Sequence, residues 1–190
     1  MKKFFTLIVA TLMASSMMAQ MHGAMTFAGA SSVNVLTQNT GNACDTVRFE
    51  MASMSAGNIT LPVMQGMAAI PSFTIENVAF SKGENHVISI AEQTFTSKVT
   101  VNGEEKNIEG SSISGSYNMA DNSLTLKAVF KYGSMPFDLT YEVKAYYVKP
   151  VASAITVNVG GTFIYGNDGV TYNVRKYIDG NVEKVDVEIP

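Results

Sequence analysis

The sequence predicts an all-β fold of antiparallel strands, on three observations. The stretch from Ser111 to Lys149 holds three alternating segments and the two turns that join them. Apolar and polar residues keep a period of two through most of the remaining chain, interrupted by clusters of Gly, Asn, Asp and Ser. The only stretch that could make a helical turn, Val63–Ile70, is eight residues bracketed by Pro62 and Pro71 and holding Gly66, too short for a substantial helix. In the last segment of the meander Phe137, Leu139, Tyr141, Val143, Ala145 and Tyr147 share one face, and Asp138, Thr140, Glu142 and Lys144 the other. Before it, Leu124, Leu126, Ala128, Phe130 and Tyr132 alternate with polar residues, as do Ile113, Gly115, Tyr117 and Met119. Three such strands joined by short turns form a β-meander.

The chain opens on MKKFFTLIVATLMASSMMAQ, two lysines before an apolar run from Phe4 to Met13 and small residues near Ala19. That is the pattern of a secretory signal peptide, with cleavage expected after Ala19. The 190 residues less these 19 suit a single domain. Of the 13 basic residues two leave with the leader, so 11 face 16 acidic ones and the net charge is −5, with no Lys/Arg cluster. Electrostatic nucleic-acid binding is therefore not expected. No later segment reaches the roughly 20 apolar residues of a membrane-spanning helix. Cys44 lies far from the cleavage region, so the protein is expected to be periplasmic or secreted, not a lipoprotein. As the single cysteine it also excludes an intramolecular disulfide.

Taken in order, alternation predicts a first strand from Met25 to Leu36, a turn-rich loop over Thr37–Asn42, and a second strand from Thr46 to Met51. A short strand around Ile59–Val63 is interrupted by Pro62, which cannot donate to a ladder. Between Pro62 and Pro71 lies VMQGMAAI, expected to make at most a helical turn and to act as a lid over one end. Ser72–Phe80 and Val87–Val101 follow as strands, and Asn102-Gly103 is a hairpin turn of the kind that needs positive φ at both residues. Glu104–Glu109 should return along the preceding strand into the meander. Beyond Pro150 alternation resumes through Ile155–Tyr165, Val170–Val174 and Val185–Ile189, with turns expected at Asn167-Asp168-Gly169 and Asp179-Gly180-Asn181. The expected organisation is a leader over 1–19, a barrel over 20–149, and a three-stranded β extension over 150–190 packed on it.

About eleven short strands leave an antiparallel barrel or a two-sheet sandwich, and the meander favours the barrel. With segment order added, NITLPVMQGMAAIPSFTIENVAF, EQTFTSKVTVNGEEKNIEGSSISGSYN and SLTLKAVFKYGSMPFDLTYEVKAYYVK resemble the calycin-like β-barrel family of exported bacterial proteins. The resemblance runs from Met25 to Lys149 and rests on strand spacing and on Pro71, Asn102-Gly103, Gly115 and Met135-Pro136. It implies an eight-stranded, lipocalin-related, up-and-down barrel whose biochemical role is unsettled. The chain has no tryptophan, so the Gly-x-Trp signature of lipocalins and the tryptophans of avidin-type ligand sites are missing. No vitamin, haem or biotin pocket carries over, and no cofactor is expected.

Catalytic chemistry finds little support in the residue inventory. A Ser-His-Asp arrangement needs a histidine between an acid and a nucleophile. His22 falls at the expected mature terminus, and His86 follows a turn. Cys44 lacks neighbours at metal-ligand spacing. The adjacent pair Glu104-Glu105 sits at a hairpin tip, where solvation explains it, while Glu76 and Glu142 are out of phase with their apolar neighbours. Gly160-Gly161 does not lead from a strand into a helix and reads as a bulge or close-packing feature.

Methionines Met51, Met54, Met64 and Met67 flank or occupy the proline-bracketed stretch and suit either core filling or an adaptable apolar surface. A non-enzymatic protein binding a small apolar molecule or peptide at the barrel mouth is expected, with Met64, Met67, Ile70, Tyr117 and Tyr141 as ligand contacts. The alternative is a cell-envelope interaction protein with a filled barrel that binds a protein or glycan through its outer surface.

Overall fold

A computed structural model of the chain describes residues 23–65, 69–83, 85–179 and 182–188. Its strands are β1 Met25–Val35, β2 Gln38–Met51, β3 Ala56–Leu61, β4 Phe73–Ala79, β5 Ser81–Lys82 and β6 Val87–Val101. The series continues with β7 Glu104–Asn118, β8 Ser123–Tyr132, β9 Leu139–Val159, β10 Thr162–Asp179 and β11 Val182–Glu188. All pair antiparallel in one sheet ordered β4-β3-β2-β1-β9-β8-β7-β6-β5, with β10 on β9 and β11 on β10. The meander is present as β7, β8 and β9. Its inward side chains are those of the alternation: Ile113, Leu124, Leu126, Ala128, Phe130, Leu139, Tyr141, Val143 and Ala145 are buried.

The inward faces of β1 to β4 and β6 to β9 share one apolar core, crossed by edge-on and tilted contacts of Phe130 with Phe73 and Phe95. Asn102 and Gly103 have φ of 53° and 84°, so the β6–β7 hairpin has the expected positive φ at both turn residues. At Gly115 a side chain would collide with the Thr125 carbonyl of β8, which explains a glycine in mid-strand.

The sheet is not closed by a continuous ladder. Where β4 and β6 meet, the bonds come from side chains: Ser97 Oγ donates to the Thr74 carbonyl at 2.7 Å, and the Gln93 carboxamide pairs with the backbone of Ala79. Irregular register on both sides of Gln93 makes this geometry, because bulged residues shift the inward phase of β6 from Ile88 and Ile90 to Phe95 and Val99.

Several expectations are corrected. The polar run from Gln38 to Asn42 is strand: it pairs with Val35 to Ser31 of β1, and only Leu36 and Thr37 turn. Its polarity belongs to an exposed sheet edge, since β3 pairs only with Arg48–Met51. At Pro150 the strand does not break: β9 runs straight through it opposite Asn173 of β10. Gly160 and Gly161, both at positive φ, are the β9–β10 turn and not a bulge. Asn167-Asp168-Gly169 is a register irregularity within β10 and not a turn. Gly180 and Asn181, like the leader and His22, lie outside the described residues.

Candidate functional site

Register brings Met25 of β1, Phe49 of β2, Val87 of β6, Asn118 of β7, Ser123 of β8 and Tyr146 of β9 to one end of the sheet. The Asn102 hairpin and the Leu61 and Phe73 ends of β3 and β4 lie at the other. At the Met25 end the turn between β7 and β8 is tied down by three local bonds. Asn118 and Asp121 side chains accept from the amides of Ala120 and Ser123, and the Asn122 carbonyl accepts from Tyr147 N at 2.9 Å. Tyr117 and Tyr147 both pack on Phe27, with ring centroids 5.1 and 5.9 Å away. The Tyr117 hydroxyl donates to Asn122 Oδ1 at 3.2 Å. Burial, helped by Tyr147 and Asp121, pushes the Tyr117 phenol up to about 12, so it remains a neutral donor.

The C-terminal strands form a wall beside this end. Arg175 of β10 donates from Nη1 to the Ala28 carbonyl of β1 at 3.0 Å, and from its other nitrogens to Asp186 of β11. Its guanidinium lies 4.8 Å from the Tyr177 ring centroid, and Tyr177 meets Tyr146 of β9 at 6.0 Å. Between wall and sheet end runs a groove of about 580 Å³. Met25, Tyr117, Met119, Asn122 and Tyr147 line one side; Lys149, Pro150, Val151, Val174 and Lys176 line the other.

The interior behind it is full. The void lined by Phe27, Val47, Phe49, Ile59, Leu124 and their neighbours measures about 30 Å³, roughly one water. Met25 and Tyr117 border both this void and the groove. A larger concavity of about 900 Å³ lies on the outer face over the meeting of β4 with β6. Several of its hydroxyls are already engaged: Thr60 with Thr74 at 2.9 Å, Ser72 with the Leu61 carbonyl and Ser97 with the Thr74 carbonyl, both at 2.7 Å.

The residues singled out from the sequence do not converge. Met64 and Ile70 bond backbone to backbone at 2.9 and 3.0 Å at the Asn102 end, and both side chains are buried in the core. They cap that end from inside. Met67 lies outside the described residues. Tyr141 is fully buried, with its hydroxyl 3.5 Å from Asp45 Oδ2. Burial, reinforced by that carboxylate, holds its phenol well above the ordinary value. Of the four that are described, Tyr117 alone reaches the groove.

Asp45 was not anticipated. It is buried, accepts from Ser31 Oγ, and takes Asn42 Nδ2 at 2.5 Å. Its signal was its phase, shared with inward Val47 on β2. Among the described residues no three His, Cys, Asp or Glu side chains come together as a metal set, and no helix is long and apolar enough to cross a membrane.

No family model matches the chain, and no curated protein matches it. Among solved structures it is similar to a Bacteroides fragilis protein described as "a putative outer membrane protein", with a TM-score of 0.51 and 20% identity. The likeness covers 66% of this chain and 50% of that one, so it spans half the length of that protein. At this identity what the two share is a fold, an antiparallel all-β sheet.

Proposed function

We propose that this chain is an exported, non-enzymatic binding protein of calycin-like barrel architecture, holding a small apolar molecule or a peptide across the barrel mouth. The observation that carries this reading is the contrast in space. The groove at the Met25 end, about 580 Å³, falls within the roughly 300 to 1,000 Å³ of ligand sites, whereas the interior void of about 30 Å³ does not. Binding would be driven by covering Tyr117, Met119, Tyr147 and Val174, at about 25 cal/mol per Å² before ordering costs. The leader pattern and the Bacteroides fragilis protein's description support an envelope location.

A second reading, an envelope interaction protein with a filled barrel that binds a protein or glycan through its outer face, is favoured by the interior void of only about 30 Å³ and by the outer concavity of about 900 Å³. Native mass spectrometry of protein from its own envelope separates the two. A retained small molecule or peptide, lost in Met119→Glu, supports the first; a retained partner chain or glycan, indifferent to Met119→Glu, supports the second. A bare chain in both forms counts against each.

A further inference from the structure

We infer that the groove's ligand is an anionic amphiphile, one apolar chain ending in a carboxylate or phosphate; this rests on the proposed mouth-binding reading and adds a charge to it. The two sides of the groove differ in chemistry. The sheet-end side presents Met25, Tyr117, Met119 and Tyr147, and Met25 and Tyr117 continue into the apolar interior void. The wall presents Lys149 and Lys176 among Val151 and Val174.

Strand geometry puts both ammonium groups on one face. Lys149 stands opposite Val174 in the β9–β10 ladder, and Lys176 lies two residues beyond Val174. No acidic residue lines the groove, in a chain with 16 acidic and 13 basic residues. Lys149 forms no ion pair among the described residues, and Lys176 reaches Glu183 only at 3.8 Å between exposed side chains, a weak pair. On β11, Val187 opposite Val174 and Val185 opposite Lys176 stay 44% and 51% exposed on the same face. An apolar body lying toward Met25 and Tyr117 with its anion at Lys149 and Lys176 uses both halves of this surface. A neutral ligand leaves the lysines idle.

The test titrates the whole exported chain calorimetrically with dodecanoate and, separately, dodecanol, each below its aggregation threshold. Dodecanoate is expected to bind about tenfold tighter, as two partly exposed ion pairs allow. The preference should shrink in Lys149→Gln/Lys176→Gln, whose exposed positions leave thermal unfolding unchanged, and in high salt. Equal affinity for the two probes, or a preference the double variant keeps, overturns the charge inference while leaving mouth binding intact. Binding of neither overturns both. Binding only to anionic vesicles, with none to monomeric dodecanoate, also overturns the inference, because the surface then recognises a bilayer.

Discussion

Gln93 pairs with Ala79 as a strand residue would: its Nε2 donates to the Ala79 carbonyl at 2.8 Å, and its Oε1 accepts from the Ala79 amide at 2.9 Å. The same Nε2 also donates to its own strand at Ala91 O, 3.1 Å away. A side-chain amide thus replaces a peptide group where β4 and β6 have no ladder. The bulged register around Gln93 frees it to do so. Gln93→Leu should cost about 1 to 2 kcal/mol in urea unfolding, from three modest bonds at an exposed site. The sharper measurement is hydrogen exchange at the Ala79 amide, protected in the parent and fast in the variant. An Ala79 amide already fast in the parent would show that the pairing does not persist in solution.

Phe95 lies over Gly110, its partner in the β6–β7 ladder, so closely that a side chain there would enter the ring. Gly110→Ala should therefore destabilise by about 1 to 3 kcal/mol through overpacking. Phe95→Ala should cost about 3 to 5 kcal/mol through the cavity it opens beside Phe130. The double variant should be less destabilised than the sum of the two, since removing the ring makes room for the methyl. Strict additivity would mean that the contact carries no energy.

Period-two burial was legible because phase and burial coincide: Leu124, Leu126, Ala128 and Phe130 read the same way in sequence and structure. The same rule would have found Asp45, had an acidic residue in phase with Val47 been taken as buried. The strand from Gln38 to Asn42 was hidden because an unpaired edge selects polar, turn-like residues regardless of backbone conformation. The groove was not legible. Met25, Tyr117, Tyr147, Lys149 and Lys176 are brought together by ladder register and by the Arg175 contact with Ala28, neither of which leaves a local pattern. Met64 and Ile70 looked like ligand contacts for the reason that they make good core: both uses call for apolar, adaptable side chains.

Asp45 should be the costliest polar residue to remove. Asp45→Ala leaves the buried Ser31 hydroxyl and the Tyr141 hydroxyl without their acceptor, and a loss of about 2 to 4 kcal/mol is expected. Tyr141→Phe removes the long 3.5 Å contact with Asp45 and the hydroxyl's interaction with Ser31, and should cost about 1 kcal/mol, less than Asp45→Ala. Asn42→Ala, at the partly buried rim of the cluster, should fall between them. Chemical denaturation of the three variants checks the ranking. A Tyr141→Phe cost equal to that of Asp45→Ala would mean that the phenol, not the carboxylate, anchors the cluster.

Alkaline titration reads the Tyr117 and Tyr141 phenols, both raised chiefly by burial. Burial raises the Tyr117 phenol from its ordinary 10.0 to about 12, and raises Tyr141 as well. A folded-state value above the unfolded one means that the folded protein holds the proton longer. The associated stability is therefore complete below about pH 10 and is lost as pH rises through the window from 10 to 12. In Tyr117→Phe the fall in stability across this window should be shallower by the contribution of one group, with little change at pH 7. Tyrosinate absorbance should show one late-ionising phenol fewer in Tyr117→Phe than in the parent. If the variant's stability falls with pH as steeply as the parent's, Tyr117 is hydrated in solution, and the groove it borders is more open than its packing against Phe27 requires.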